Sequence, residues 1–313
     1  SGERMADITA AATAVARRST GAGSDIWRKL APYLFLLPFL IVFIGFLVVP
    51  LVYAFNLSVW KTTLVGGTHF VGFDNYAKAI VDAKFWGGVL TLLKFAAMQI
   101  PVMLALALLF ALILDSGMVY LKSFFRISFF IPYAVPTVIA TLLWGYLYSP
   151  SYGPAAQIAA ALNIQRIDFF QPNTILPSIA NIAVWEYMGY NMIIYFAALQ
   201  AIPQDLEEAS VVDGAGAFAH AIYVKLPLIV PTIMVTIIFS IIGTLLLFAE
   251  PYLLYNLARS IISSYFTPNF YAYTLVFVAQ QYNYSAAISF LLGAVTAVIS
   301  YVFMLLTSRR SAR

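Results

Sequence analysis

Gln204-Asp205-Leu206-Glu207-Glu208-Ala209-Ser210-Val211-Val212-Asp213-Gly214-Ala215-Gly216, followed by Leu226-Pro227, is an acidic, glycine-bent stretch set between two long apolar runs. The chain around it is 62% hydrophobic and 10% charged over 313 residues, with a mean hydropathy of +0.89. Soluble domains are about 45–50% apolar and about 25% charged. One globular core of this size cannot hide the excess, so most of the surface must face lipid. In such a chain a structured polar loop is a place for another protein to dock.

Working outward from the loop, six segments are long and apolar enough to span a bilayer: Tyr33–Phe55, Gly87–Leu114, Phe124–Tyr148, Pro177–Ala201, Leu228–Glu250 and Ala286–Thr307. As helices each reaches about 30–40 Å, enough for a hydrocarbon core about 30 Å thick. A spanning segment must satisfy its own backbone hydrogen bonds, which favours helices, and the alternation of a membrane β-barrel is missing. The fold class expected is therefore an all-α integral membrane protein with six transmembrane helices. Interruptions by Pro132 and Pro136 predict a kink in the third span. No pair of broken helices is expected from the two halves.

Basic residues set the orientation. With the N-terminus inside, the inner side collects Arg4, Arg17, Arg18, Arg28, Lys29, Lys122, Arg126, Lys225, Arg309, Arg310 and Arg313, and the outer side Lys61, Lys78, Lys84, Arg166 and Arg259. That imbalance places both termini, and the acidic loop, in the cytoplasm. The expected organisation is a partly disordered cytoplasmic tail over residues 1–30, a six-helix membrane domain over 31–308 containing the loop 203–227, and a short basic cytoplasmic tail over 309–313. The first apolar run is too long for a signal peptide and no cleavage site follows it. Aromatic residues such as Trp60, Phe73, Tyr76, Trp86, Tyr148 and Tyr152 fall in the outer loops, as interfacial anchors do. The net charge of +4 gathers at the chain ends, which argues against a nucleic-acid partner, and without cysteine there is neither a disulfide nor a thiolate metal site.

Within the loop, Pro203 stops one helix and can open another. Asp205 and Glu208 have capping-box spacing, and the acids of the first turn oppose the positive helix end. Gly214 and Gly216 permit a sharp bend after Asp213. A second helical stretch, Ala217–Lys225, leads to Pro227, so the loop reads as a helix–turn–helix along the membrane surface. Short and partly apolar, it suits insertion into a partner's groove.

Glu208-Ala209, then Gly214, then Val224-x-Leu226-Pro227 resembles the EAA loop of permease subunits in binding-protein-dependent ABC importers. That pattern is Glu-Ala-Ala, three residues, Gly, nine residues, Ile-x-Leu-Pro; this chain departs at Ser210 and Val224 only. The segment from Tyr195 to Pro203, Trp144 with Tyr148-Ser149-Pro150 and Gly153, and Glu250-Pro251-Tyr252 resemble the carbohydrate-importing branch, the maltose and glycerol-phosphate type. The likeness covers residues 30 to 307, with Asn256-Leu257-Ala258-Arg259 standing where the family has a Gly-rich turn. It implies the type I importer permease fold and a location in the bacterial cytoplasmic membrane. It also implies a second permease subunit, two ATPase subunits forming a homodimer, and an extracytoplasmic solute-binding protein. ATP and magnesium would sit on the ATPase, and this chain would bind no cofactor. Asp205, Glu207, Glu208, Ala209, Asp213, Gly214, Leu226 and Pro227 would couple to the ATPase, Glu208 through a salt bridge to an arginine and Gly214 as the turn.

Ionisable residues inside a span are costly, which singles out Lys94, Glu186 and Glu250. Tyr187, Tyr190, Asn191 and Ile194 share one helical face beside Glu186. Aromatic rings with carboxylate and amide groups suit a sugar, so Glu186, Tyr187, Tyr190, Asn191 and Glu250 are candidates for a solute path, with helix–helix hydrogen bonding as the rival. Spans without an arginine cluster favour a neutral saccharide; glycerol phosphate or a polyol is the alternative. His69 and His220 are too isolated for a metal or catalytic site.

No G-x-x-x-x-G-K-[ST] phosphate loop occurs, so a transport subunit would draw on a separate ATPase. A stand-alone secondary transporter would carry more intramembrane acids and no need of the loop. A membrane enzyme would need a clustered constellation that the two scattered histidines do not supply.

Overall fold

The structure is a computed structural model that describes residues 22–63, 65–117, 119–151, 153–165 and 167–311, without the side chains of 22–27, 207, 211 and 306–311. The expectations for the N-terminal tail, Tyr152, Arg166, the Glu207 side chain and the basic side chains at 309–313 lie outside the described residues. Contacts divide the chain after Leu57.

The first unit is helical: α1 (Ala22–Phe43), a π-turn (Ile44–Val48) and the start of α2 (Val49–Ser58). Pro50 cannot donate to the carbonyl four residues back. The widened turn precedes it, with the Val49 N–H reaching the Ile44 carbonyl. Large apolar side chains such as Phe35 and Phe46 are exposed along it.

In the second unit a hairpin, β1 (Trp60–Thr63) and β2 (Gly67–Phe70), pairs Trp60 with Phe70, and α3 (Asp74–Ile80) follows. Asn75, buried, donates to the carbonyls of Ser58 and Trp60, both at 2.8 Å. Next come α4 (Ala83–Asp115), α5 (Lys122–Ala134), α6 (Thr137–Leu147), α7 (Pro154–Ala161) and α8 (Ile175–Gln200). The loop forms α9 (Gln204–Val212) and α10 (Ala217–His220), a second π-turn (Ala221–Lys225) leads into α11 (Leu226–Leu245), and α12 (Ala249–Leu254), α13 (Pro268–Phe277) and α14 (Tyr282–Ser311) complete the chain.

α4 and α8 form the spine. Near one end they bury Phe85, Leu92 and Phe95 against Ile179 and Ile182; near the other, Met103, Ala107 and Ala111 meet Met192, Tyr195 and Leu199. α5 crosses α8 at Gly189, where an added Cβ would collide with the Phe129 carbonyl oxygen. Opposite the loop, Asp82 caps α4 by accepting from the Lys84 N–H at 2.8 Å, and accepts from the hydroxyls of Tyr271 at 2.9 Å and Tyr284 at 2.6 Å. One carboxylate thus ties α4, α13 and α14.

All six expected segments are helical, but they differ in kind. Arg28–Ser58, Ala83–Asp115, Ala217–Leu254 and Tyr282–Leu305 are individually long and apolar enough to cross a membrane, and α5 with α6 adds a fifth span bent by 97°. α8 has the length but falls short of that apolarity, because it carries Asn181, Glu186 and Asn191.

Two expectations are corrected. Broken helices do occur as a pair: α5 and α6 part at Pro136, and α11 and α12 part at Leu246–Phe248. The freed carbonyls of the second break are recovered by side chains, Asn269 donating to Leu245 and Thr267 to Leu247, each at 3.1 Å. Such satisfaction is what lets irregular backbone persist at membrane depth. Nor does the stretch after Gly216 form a separate surface helix. From Ala217 it runs through the π-turn and past Pro227 into α11, the Leu226 N–H bonding to the Ala221 carbonyl. The wider turn absorbs the proline that the sequence presents as a break.

Candidate functional site

A cavity of about 420 Å³ lies where the two breaks meet the spine. α4 contributes Phe95, Gln99 and Met103; α6 Thr137; α8 Ala183, Tyr187, Tyr190 and Asn191. The end of α11 and its break contribute Phe239, Ser240, Gly243, Thr244 and residues 246–249, and α12 gives Glu250. Asn191 donates to the Tyr187 carbonyl at 3.0 Å, Thr244 to Gln99 Oε1 at 3.3 Å, and Tyr190 stacks on Tyr133 with centroids 4.7 Å apart. The wall therefore combines flat rings with amide, hydroxyl and carboxylate groups. No lysine or arginine is among the described lining residues.

Of the expected path residues, Tyr187, Tyr190, Asn191 and Glu250 line this cavity together. Glu186 does not. It is buried, accepting at 2.5 Å from the hydroxyl of Thr137, which does line the cavity. Ile194 is also outside it, and Lys94 is exposed on the flank of α4. Ser240 and Thr244 escaped the sequence reading, and Gln99, which with Pro101 reads from sequence as plain packing, lines the cavity. Hydroxyls and amides in apolar runs are as often helix–helix glue as wall, and only the breaks reveal which face they take.

The loop has the expected turn. Gly214 sits at φ +80°, and the Ala215 N–H reaches back to the Ser210 carbonyl at 2.9 Å, a Schellman closure of α9. The capping box does not form at Asp205, which lies inside the first turn of a helix already begun at Gln204. Instead Gln204 Nε2 donates to Glu208 Oε1 at 2.9 Å. Asp205, Glu208, Ala209, Asp213, Gly214 and Pro227 are exposed, and Leu226 is half-buried. Leu206, Val212, Phe218 and Tyr223 add exposed apolar surface to the same segment.

His220 has a structural partner within the loop. Half-buried, it pairs through Nδ1 with the Ser210 hydroxyl at 2.6 Å and so braces α9 against α10. Beneath the loop Lys225 Nζ meets Asp115 Oδ2 at 2.5 Å, and Gln200 Nε2 donates to Asp115 Oδ1 at 2.6 Å. The sequence reading passed over this cluster, although opposite charges at the ends of two apolar runs signalled it. Among the described residues no group of three His, Asp or Glu could hold a metal ion.

A cavity at two helix breaks, joined by one continuous helix to an exposed acidic loop, suits a membrane transport subunit. No family model matches the chain. It is 32% identical over 227 residues to the trehalose/maltose transport system permease protein MalF of Thermococcus litoralis, covering 71% of this chain and 76% of that one. It is 27% identical over 288 residues to the arabinooligosaccharides transport system permease protein AraP of Bacillus subtilis, covering 90% and 89%. Among solved structures, a chain of a bacterial ABC transporter involved in the import of the acidic polysaccharide alginate matches with a TM-score of 0.80 and 24% identity, covering 91% of this chain and 98% of that one. A related structure of that transporter is in complex with its alginate pentasaccharide-bound periplasmic protein. The chain belongs to the permease subunits of carbohydrate ABC importers. It is a multi-pass membrane protein.

Proposed function

We propose that the chain is one of two permease subunits that carry a neutral mono- or oligosaccharide across the bacterial cytoplasmic membrane by alternating access. In this reading the chain has six spans, with both termini and the EAA loop in the cytoplasm. There an ATPase homodimer, holding ATP and magnesium, grips the loop through Glu208, while an extracytoplasmic binding protein delivers the sugar. The chain itself catalyses nothing. Each state is favoured by its own contacts with the nucleotide-loaded ATPase and the loaded binding protein.

The observation that carries this reading is the single helix from Ala217 to Leu245. It begins at the turn after Gly214 and ends at the break lining the cavity, a reach of about 40 Å. A force applied to the loop reaches the cavity wall without crossing a flexible joint. The wall supports a neutral sugar over an acidic one: Glu250 faces the cavity, and no described lining residue is cationic to hold a carboxylate or phosphate.

The test is uptake into proteoliposomes by the assembled complex with its binding protein. The expected result is ATP-dependent entry of a neutral oligosaccharide, with no uptake by this chain alone. Ion-gradient uptake by the purified chain without any ATPase would contradict the proposal and make it a secondary transporter.

A further inference from the structure

Three helices line the cavity over much of its wall, α4, α8 and α11, and their loop-side ends converge on one carboxylate. Asp115 is the last residue of α4, Gln200 the last of α8, and Lys225 the residue that hands the π-turn to α11. Gln200 takes one oxygen of Asp115 and Lys225 the other, at 2.6 and 2.5 Å. The charged side chains are 9% exposed for Lys225 and 4% for Asp115. A buried pair gives little net stability over an apolar replacement, but it fixes geometry, since either charge left alone is strongly disfavoured. Two helix ends held by both oxygens of one carboxylate cannot slide independently.

We propose that Asp115 is a positioning residue for energy coupling: it ties α8 and α11 to α4, so that displacement of the loop moves three walls of the cavity as one body. The proposal rests on the transport function above. Lys225 lies between the loop and α11, so a push on α9 arrives at the Asp115 pair before it arrives at the cavity. With the pair intact, α4 and α8 follow. With Asp115→Asn the charged tie at the loop side is lost. α11 is then held to α4 and α8 by contacts nearer the cavity, the Thr244–Gln99 and Thr236–Tyr195 hydrogen bonds among them, so less of the displacement reaches Phe95, Gln99, Tyr187 and Asn191.

The experiment uses the complete complex with its binding protein in proteoliposomes and reads sugar taken up per ATP hydrolysed. Asp115→Asn is expected to assemble and hydrolyse ATP while that ratio falls roughly tenfold, within the range of known coupling energies. The exchange Asp115→Lys with Lys225→Asp restores the tie and is expected to recover the ratio to within about threefold of the unaltered complex. A role in folding alone would lower the amount of complex and leave the ratio per assembled complex untouched. A normal ratio in Asp115→Asn, or an exchange variant that assembles yet stays uncoupled, would overturn the proposal. Failure of both variants to assemble would assign the pair to folding and overturn it too. An unaltered complex that does not transport would remove the functional reading itself, an outcome distinct from these.

Discussion

At Gly189 the backbones of α5 and α8 come so close that only hydrogen fits, since a Cβ there would strike the Phe129 carbonyl oxygen. Gly189→Ala must push α5 away from the spine, and overpacking of this kind costs about 1–3 kcal/mol. Thermal unfolding in detergent is expected to show a clear drop for Gly189→Ala and none for Gly87→Ala, where an added Cβ meets nothing. Asp82 makes a second prediction. Burial alone would raise its carboxyl, but the hydroxyls of Tyr284 and Tyr271 and the N–H groups of Lys84 and Phe85 outweigh this and hold it below its ordinary value of 3.8. A carboxyl depressed in the folded state contributes stability that is fully present above its ordinary value and is lost as pH falls through the folded one. Stability of the purified protein should therefore decline below pH 3.8, with a shallower decline in Asp82→Asn. A glycine in a run of Trp, Tyr and Met gives no sign of the helix it will touch, so Gly189 was not legible in the sequence. Tyr187, Tyr190 and Asn191 were, because helical spacing alone puts them on one face. Glu186 shares that neighbourhood, but it accepts from the Thr137 hydroxyl and does not line the cavity.

At the scale of elements the loop and its helix act together. Gly214 needs positive φ, whereas Gly216 sits at φ −68° with open space beside it. A β-branched residue at positive φ is a strained outlier, and even alanine costs about 1 kcal/mol there. Gly214→Val is expected to abolish ATP-driven uptake while the protein still inserts, and Gly216→Ala to transport normally. Equal uptake by both variants would show that the turn does not matter. The turn was readable because glycine is the residue it demands. Continuity through Pro227 was not, since a proline after a polar stretch reads as a helix start. Only the Leu226-to-Ala221 hydrogen bond shows the helix widening to carry it. The paired breaks were half readable: Pro136 marks one, but Leu246–Phe248 contains neither Gly nor Pro and is held open by Thr267 and Asn269 from beyond α12.

For the whole molecule, composition alone established the membrane, because 62% hydrophobic residues exceed what one core can bury. The EAA spacing supplied the family, which the relatives bear out. The central claim is that this chain converts work done on an exposed acidic loop into movement of a sugar-sized cavity. In the proposed function that work enters at Glu208, which is exposed and lines a groove of about 610 Å³ together with Asp115, His220 and Lys225. The most direct measurement is the ratio of sugar uptake to ATP hydrolysis in proteoliposomes for Glu208→Ala against the unaltered complex. Loss of uptake with hydrolysis continuing is the predicted result, and uptake at the unaltered rate would contradict it.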